Sequence, residues 1–251
     1  MNIEKTWKII VGNKTGTGAT LLLVLITVVL QLACKNPSED NRFISYIVNP
    51  KDMQLFYKDE QGKNFGSIQR LKTRLDTKGE RLDFAMNAGM YKPDGSPQGL
   101  YIENFKILSK LDTTKASGNF YLQPNGVFYI MADGRANVSA TENFKQASTI
   151  KYATQSGPML VIDGKLHPAF KEGSPNVQVR NGVGILPDGK VLLIMSKDKI
   201  NFYDFAQYFQ SKGCKNALYL DGFVSRTYHP GQNWKQTDGN FAVIIGVATK
   251  V

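Results

Sequence analysis

Short apolar runs recur along this chain, and most of them end in a turn signal. "GVFYIMADGRANVS", "PMLVIDGKLH" and "VGILPDGKVLLIMS" each place an Asp-Gly pair between β-rich segments. That pattern predicts three hairpins, turning at Asp133, Asp163 and Asp188. "MQLFYKDEQGKNF" reads as a strand and turn, "RLDFAMNAGMY" as a strand running into a glycine, and "QGLYIENFKIL" as a hairpin turning near Glu103-Asn104. Two stretches change period. In "SIQRLKTRLDTKG", Ser67 suits an N-cap, Ile68, Leu71 and Leu75 share a helical face, and Gly79 lies near the end. In "NFYDFAQYFQSKG", Asn201 can cap, Phe202, Phe205, Ala206 and Phe209 follow helical spacing, and Gly213 stops the run. The expected fold is α+β: a mostly antiparallel or mixed sheet of hairpin-linked strands with at least two packed helices, in one domain over 46–251.

One further Asp-Gly pair does not fit the hairpin rhythm. "NALYLDG" follows a helix, is apolar on both faces and is not followed by an immediate pairing partner. Such a strand belongs in the middle of a sheet, and ligands collect beyond the carboxyl ends of strands of this kind. Asp221 is therefore a candidate site residue, whereas turn chemistry fully explains the other three aspartates.

The first residues carry a different message. Lys5, Lys8 and Lys14 precede "LLLVLITVVLQLAC", an apolar run shorter than the roughly 20 residues that cross a bilayer. This is a secretory leader pattern, predicted over 1–33. Ala33-Cys34 resembles a lipobox, which makes Cys34 the expected lipidation site and 34–45 a tether; Gln31 departs from the usual residue there. An uncleaved anchor is the alternative. Both place the body outside the cytoplasm, in the cell envelope and on a membrane. Losing the leader removes three lysines and one glutamate, which lowers the net charge from +10 to +8. The remaining positive charge suits an anionic partner such as a phosphate, an acidic glycan or a membrane surface. No arginine-rich helix or zinc-finger spacing points to nucleic acid. The two histidines, His167 and His229, and two cysteines give no metal-ligand spacing, so no metal or other cofactor is expected; a carboxylate site for a supporting divalent cation stays open.

"FAMNAGMY", "GLYIEN", "SGNFYLQPNGVFYI", "QSGPMLVIDGKLHPAF", "VRNGVGILPDGKV" and "NFYDFAQYFQSKGCKNALYLDGFVSRTY" occur in this order between about residues 86 and 248. The chain thereby resembles the phosphodiester glycosidase family of the uncovering enzyme, and most closely its bacterial, exopolysaccharide-related branch. The resemblance implies hydrolysis of a sugar–phosphate bond. It points to Asn87, Gly89 and Met90; Gly99 and Glu103; Ser156, Gly157 and Pro158; Arg180 and Asn181; and Asp221, Gly222 and Ser225. Two positions depart from the family pattern. Phe223-Val224 replaces a glycine run, and Phe105 stands where relatives carry glycine.

The chemistry implied is coherent. A phosphate leaves without much protonation, so the enzyme needs a cationic phosphate holder more than a strong acid. Arg180 suits that role, with Arg226 second, because a guanidinium fork matches phosphate oxygens. Asp221 is the first choice for the carboxylate that stabilises the oxocarbenium-like centre, and Glu103 the second. Asn87, Asn181, Ser156 and Ser225 would bond sugar hydroxyls or fix the carboxylates, and glycine backbone at Gly89, Gly157 and Gly222 would approach the ligand. From spacing alone, Arg180 also reads as a solvated residue of the alternating "NVQVR", and Glu103 as hairpin polarity. The expected partners are a glycan or sugar-phosphate substrate and a membrane; the alternative function is a non-catalytic, anionic-glycan-binding or polysaccharide-export lipoprotein.

Overall fold

A computed structural model describes residues 40–251. The leader, Cys34 and the tether up to residue 39 lie outside the described residues, among which no helix is long and apolar enough to cross a membrane. In chain order the elements are β1 (Phe43–Val48), β2 (Met53–Phe56), α1 (Ile68–Asp76), β3 (Glu80–Asn87), β4 (Tyr101–Glu103) and β5 (Lys106–Ser109). Next come β6 (Gly126–Met131), β7 (Ala136–Ala140), β8 (Ile150–Ser156), β9 (Met159–Ile162), β10 (Lys165–Leu166), β11 (Asn181–Ile185) and β12 (Val191–Ser196). The chain continues through α2 (Phe202–Ser211), β13 (Ala217–Asp221), β14 (Thr227–His229), β15 (Trp234–Lys235) and β16 (Ile244–Lys250).

The described strands form three sheets, ordered β1-β12-β11-β13-β9-β10, β15-β14-β3-β16-β2 and β5-β4-β8-β6-β7. The pairings within them are antiparallel, so the mixed-sheet option is not realised among the described strands. Among the described residues sheet dominates, and the two α-helices are a minor part. The tether ends earlier than residue 45: the apolar side chains of Phe43 and Ile44 are buried, and β1 pairs with β12 from Phe43 onward.

Turn chemistry holds where the sequence places it. The Asp-Gly pairs join β6 to β7, β9 to β10 and β11 to β12. The β4–β5 hairpin turns on Asn104 and Phe105, with φ of 48° and 67°. That turn type favours glycine, the residue that the family resemblance leads one to expect where Phe105 stands. Both helices are capped as expected: Ser67 Oγ accepts from Arg70 N, and Asn201 Oδ1 from Asp204 N.

The helices cover two of the sheets. Ile68, Leu71 and Leu75 of α1 pack with Leu82 and Ala85 of β3. Phe205, Ala206 and Phe209 of α2 pack with Leu160, Val161, Ala217 and Tyr219. On the opposite face of β13, Leu218 and Leu220 enter the main core with Phe84, Met86, Phe128 and Ile245. This two-sided burial is why β13 reads as apolar throughout. Cys214 is buried beside α2, and burial pushes its thiol up to about 12.

Positive φ at a bulky residue is strained. Phe105→Gly is expected to raise the stability of the folded chain by about 1 kcal/mol, read as a higher denaturant midpoint. A midpoint that stays put or falls would show that contacts of the half-exposed ring outweigh the backbone strain.

Candidate functional site

β13 and β11 pair directly at Asp221 and Asn181, where the register shifts. A bulge there interrupts the backbone ladder, and side chains take over its hydrogen bonds. Asn181 Oδ1 accepts the backbone N–H of Asp221 at 2.8 Å. The Asn181 amide nitrogen donates to Asn87 O at 2.9 Å and to Asn87 Oδ1 at 2.8 Å. Asn87, the last residue of β3, donates from Nδ2 to Asp221 Oδ2 at 3.1 Å and accepts the Arg226 N–H at 2.9 Å. From the third sheet, the Ser156 hydroxyl donates to Leu220 O at 2.9 Å. The Ser225 hydroxyl lies 2.9 Å from Asp221 O and 3.1 Å from Val179 O. Residues named by the resemblance on four separate segments thus converge on the end of one strand. Most of them touch each other rather than open space.

Asp221 is only 4% exposed, yet it forms part of the wall of a cleft of about 560 Å³, with Tyr91, Lys92, Asn119, Asn176, Gln178, Tyr219 and Phe223. Burial raises the Asp221 pKa; the amides of Phe223, Gly222 and Val224 and the Asn87 side chain oppose that rise. The same carboxylate adds to the burial that raises the Tyr91 pKa. Among the described residues, Asp221 is the only carboxylate in the cleft wall.

Arg180 is completely buried, so the solvated-strand reading fails. Its Nε donates to Ile200 O at 2.8 Å. One terminal nitrogen donates to the Tyr219 hydroxyl at 3.2 Å, and the other to Asn176 O and Oδ1 at 2.8 and 3.1 Å. Its plane lies 3.6 Å above the Phe202 ring centre. None of these partners is a carboxylate. The guanidinium therefore sits one layer behind the cleft wall, linked to two wall residues, Tyr219 and Asn176. Gly222 allows this approach: a Cβ there would stand 1.8 Å from the Tyr219 hydroxyl and 3.5 Å from Arg180 Nη1.

Other expected positions lie elsewhere. Glu103 faces a separate depression with Lys58, Glu60 and Arg74, and shares no wall residue with the Asp221 cleft. There its carboxylate accepts the Tyr101 hydroxyl proton at 2.5 Å, and burial raises its pKa. Arg226 holds Asp238 through Nε, 2.9 Å from each carboxylate oxygen. Gly157 is required by packing, because a Cβ would stand 2.6 Å from Phe120 O. Gly89 adopts φ +90°, with Thr154 Oγ1 2.7 Å from where a Cβ would be. His167 bonds Gln123 O and accepts the Ala169 N–H, as a neutral loop residue does. No group of three or more His, Cys, Asp or Glu side chains is placed to hold a metal ion among the described residues.

Sequence reading missed Tyr91, Lys92, Asn119, Asn176, Gln178 and Tyr219. Only Tyr219 left a signal: it stands two positions before Asp221, on the same face of the strand.

The raised pKa of Asp221 has a thermodynamic consequence. A carboxyl that titrates higher in the folded than in the unfolded chain makes folding less favourable as pH rises through that range. The wild type is therefore expected to gain stability relative to Asp221→Asn as pH falls from about 7 to about 4. Denaturant midpoints of both proteins across that range test this; a gap that is flat or widens the other way would contradict it.

Residues 80–248 match the phosphodiester glycosidase family. Over 209 residues the chain is 35% identical to the uncharacterized protein YigE of Escherichia coli (strain K12), and the match covers 82% of each chain. Among solved structures, it is similar to the zebrafish N-acetylglucosamine-1-phosphodiester alpha-N-acetylglucosaminidase catalytic domain, auto-inhibited by its pro-peptide. That match has a TM-score of 0.57 at 14% identity and covers 84% of each chain. A hypothetical protein from Synechocystis gives a TM-score of 0.53 at 13% identity, over 82% of this chain and 59% of that one. The structural likenesses show a shared fold. The matched span holds the Asn87, Asn181 and Asp221 wiring, and on that match the chain belongs to the phosphodiester glycosidase family.

Proposed function

We propose that this protein hydrolyses a glycosyl phosphodiester outside the cytoplasm, in an envelope or capsular glycan. The observation that carries the reading is two buried charges at one cleft: Asp221 in its wall and, one layer behind, the Arg180 guanidinium, which has no carboxylate partner. A buried cation without a counter-charge is costly. Its field favours an anion in the cleft, and the family's substrate supplies one as phosphate.

Asp221 then serves the anomeric carbon. A bond from water oxygen to that carbon forms as the carbon–oxygen bond to phosphate breaks. The electron pair leaves with the phosphate, the Arg180–Tyr219 pair stabilises the charge, and Asp221 takes the water proton. Asp221 acting first as the nucleophile is the other route; its two displacements retain the anomeric configuration that direct attack by water inverts. A single carboxylate suffices for cleavage in both, because a phosphate monoester leaves without a strong general acid. On the second route water then bonds to the anomeric carbon, the ester bond to Asp221 breaks, and the water proton passes to the released phosphate or to solvent. Glu103, in its own depression, takes no part.

The leader pattern and the basic charge support an envelope location, with Cys34 as the lipid attachment site. A binding module is the second reading, favoured by the absence of a second carboxylate from the cleft. Release of sugar from α-N-acetylglucosamine-1-phospho-6-mannose and related phosphodiesters distinguishes them. Turnover is expected, with Asp221→Asn reducing kcat by at least about 10²-fold and Arg180→Ala also impaired. Saturable binding without turnover, equal in all three proteins, would select the module.

A further inference from the structure

A second depression, of about 280 Å³, adjoins the cleft and shares Tyr91 and Pro93 with it. We propose that it is a second subsite, and that the pair of subsites binds consecutive residues of an anionic glycan chain rather than one small phosphodiester. This rests on the glycan reading above.

The ridge between the two depressions is preorganised. Lys92 N donates to Ser96 O at 2.9 Å, and Gly95 N to Lys92 O at 2.8 Å. The Asp94 carboxylate accepts from Ser96 N at 2.9 Å and Ser96 Oγ at 2.6 Å. Asn64 Nδ2 ties the far side of the ridge to Gly95 O at 3.0 Å. The Tyr91 ring and Pro93 therefore form a fixed apolar shoulder between the cleft and the more polar second depression. Sugars use such shoulders because their C–H faces are apolar while their edges need hydrogen bonds.

Charge gives the subsite its class. On the same stretch of chain, Lys72 pairs with Asp76, and Arg74 and Lys78 pair with Glu60. Arg70 differs: the guanidinium borders the second depression and has no ion pair or hydrogen bond among the described residues. Asp94 is a carboxylate in that depression; it accepts from Ser96, keeps its charge and makes no ion pair with Arg70 among the described residues. Lys92, on the cleft side of the ridge, also lacks an ion pair among the described residues. One cation thus stands at each side of the shoulder, as a chain carrying more than one phosphate would require. A substrate with a single linkage would fill the cleft and leave Arg70 unused.

The test compares α-N-acetylglucosamine-1-phospho-6-mannose with a polymer of N-acetylglucosamine-1-phosphate, using the full chain and Arg70→Ala. Arg70 is exposed and outside the catalytic cleft, so the variant is expected to fold. The expected result is a KM for the polymer raised about tenfold, with kcat and the KM of the short substrate unchanged, and partial rescue in Arg70→Lys. Equal KM values for the polymer in wild type and Arg70→Ala would overturn the proposal. If neither substrate is turned over, the hydrolase reading fails, and calorimetric binding of the polymer then decides: weakening by Arg70→Ala upholds the subsite, and equal binding removes it.

Discussion

Three antiparallel sheets meet where β13 ends, and the polar atoms buried at that junction must bond to one another. Every buried donor or acceptor left without a partner costs folding free energy. Asn181 resolves the register shift by receiving the Asp221 amide and passing its own donors to Asn87. Asn87 completes the circuit to the Asp221 carboxylate. Ser156 holds the preceding residue from the third sheet. The position of the Asp221 carboxylate is therefore a by-product of how the sheets are joined. Moving it would break bonds in all three.

The second organising feature is the layered placement of charge. Arg180 does not reach into the cleft; it works through Tyr219 and Asn176. A cation held by neutral partners and stacked on Phe202 keeps its field in the wall without being neutralised there. Gly222 belongs to this arrangement because it admits the Tyr219 hydroxyl beneath it. Its glycine is needed by a neighbouring side chain and not by strained backbone.

Local chemistry was legible in the sequence, and distant packing was not. The Asp-Gly hairpins, the Ser67 and Asn201 caps and the buried two-sided strand at Asp221 are decided within a few residues, so pattern reading finds them. Arg180 deceived it. The alternation of "NVQVR" is real, but among the described residues the segment's backbone joins that of its neighbours only at Gln178 and Arg180, and Ile200, Phe202 and Tyr219 close over the guanidinium. Glu103 was misleading in a different way: it shares a family motif with glycine-rich neighbours, yet the hairpin carries it into another depression. The remaining cleft residues come from loops whose spacing bears no periodic signal.

The junction also constrains when the cleft can exist. Its bond between Asn87 and Asp221 spans 134 positions, and that from Asn181 to Asn87 spans 94. Contacts of such range close late, because the chain must first bear the entropy of bringing its two halves together. The hairpins and α2 can form from their own neighbourhoods before then. The carboxylate, its amide partners and the guanidinium behind them come into register only with the final docking of the sheets. The arrangement at Asp221 thus exists only once the whole architecture is complete.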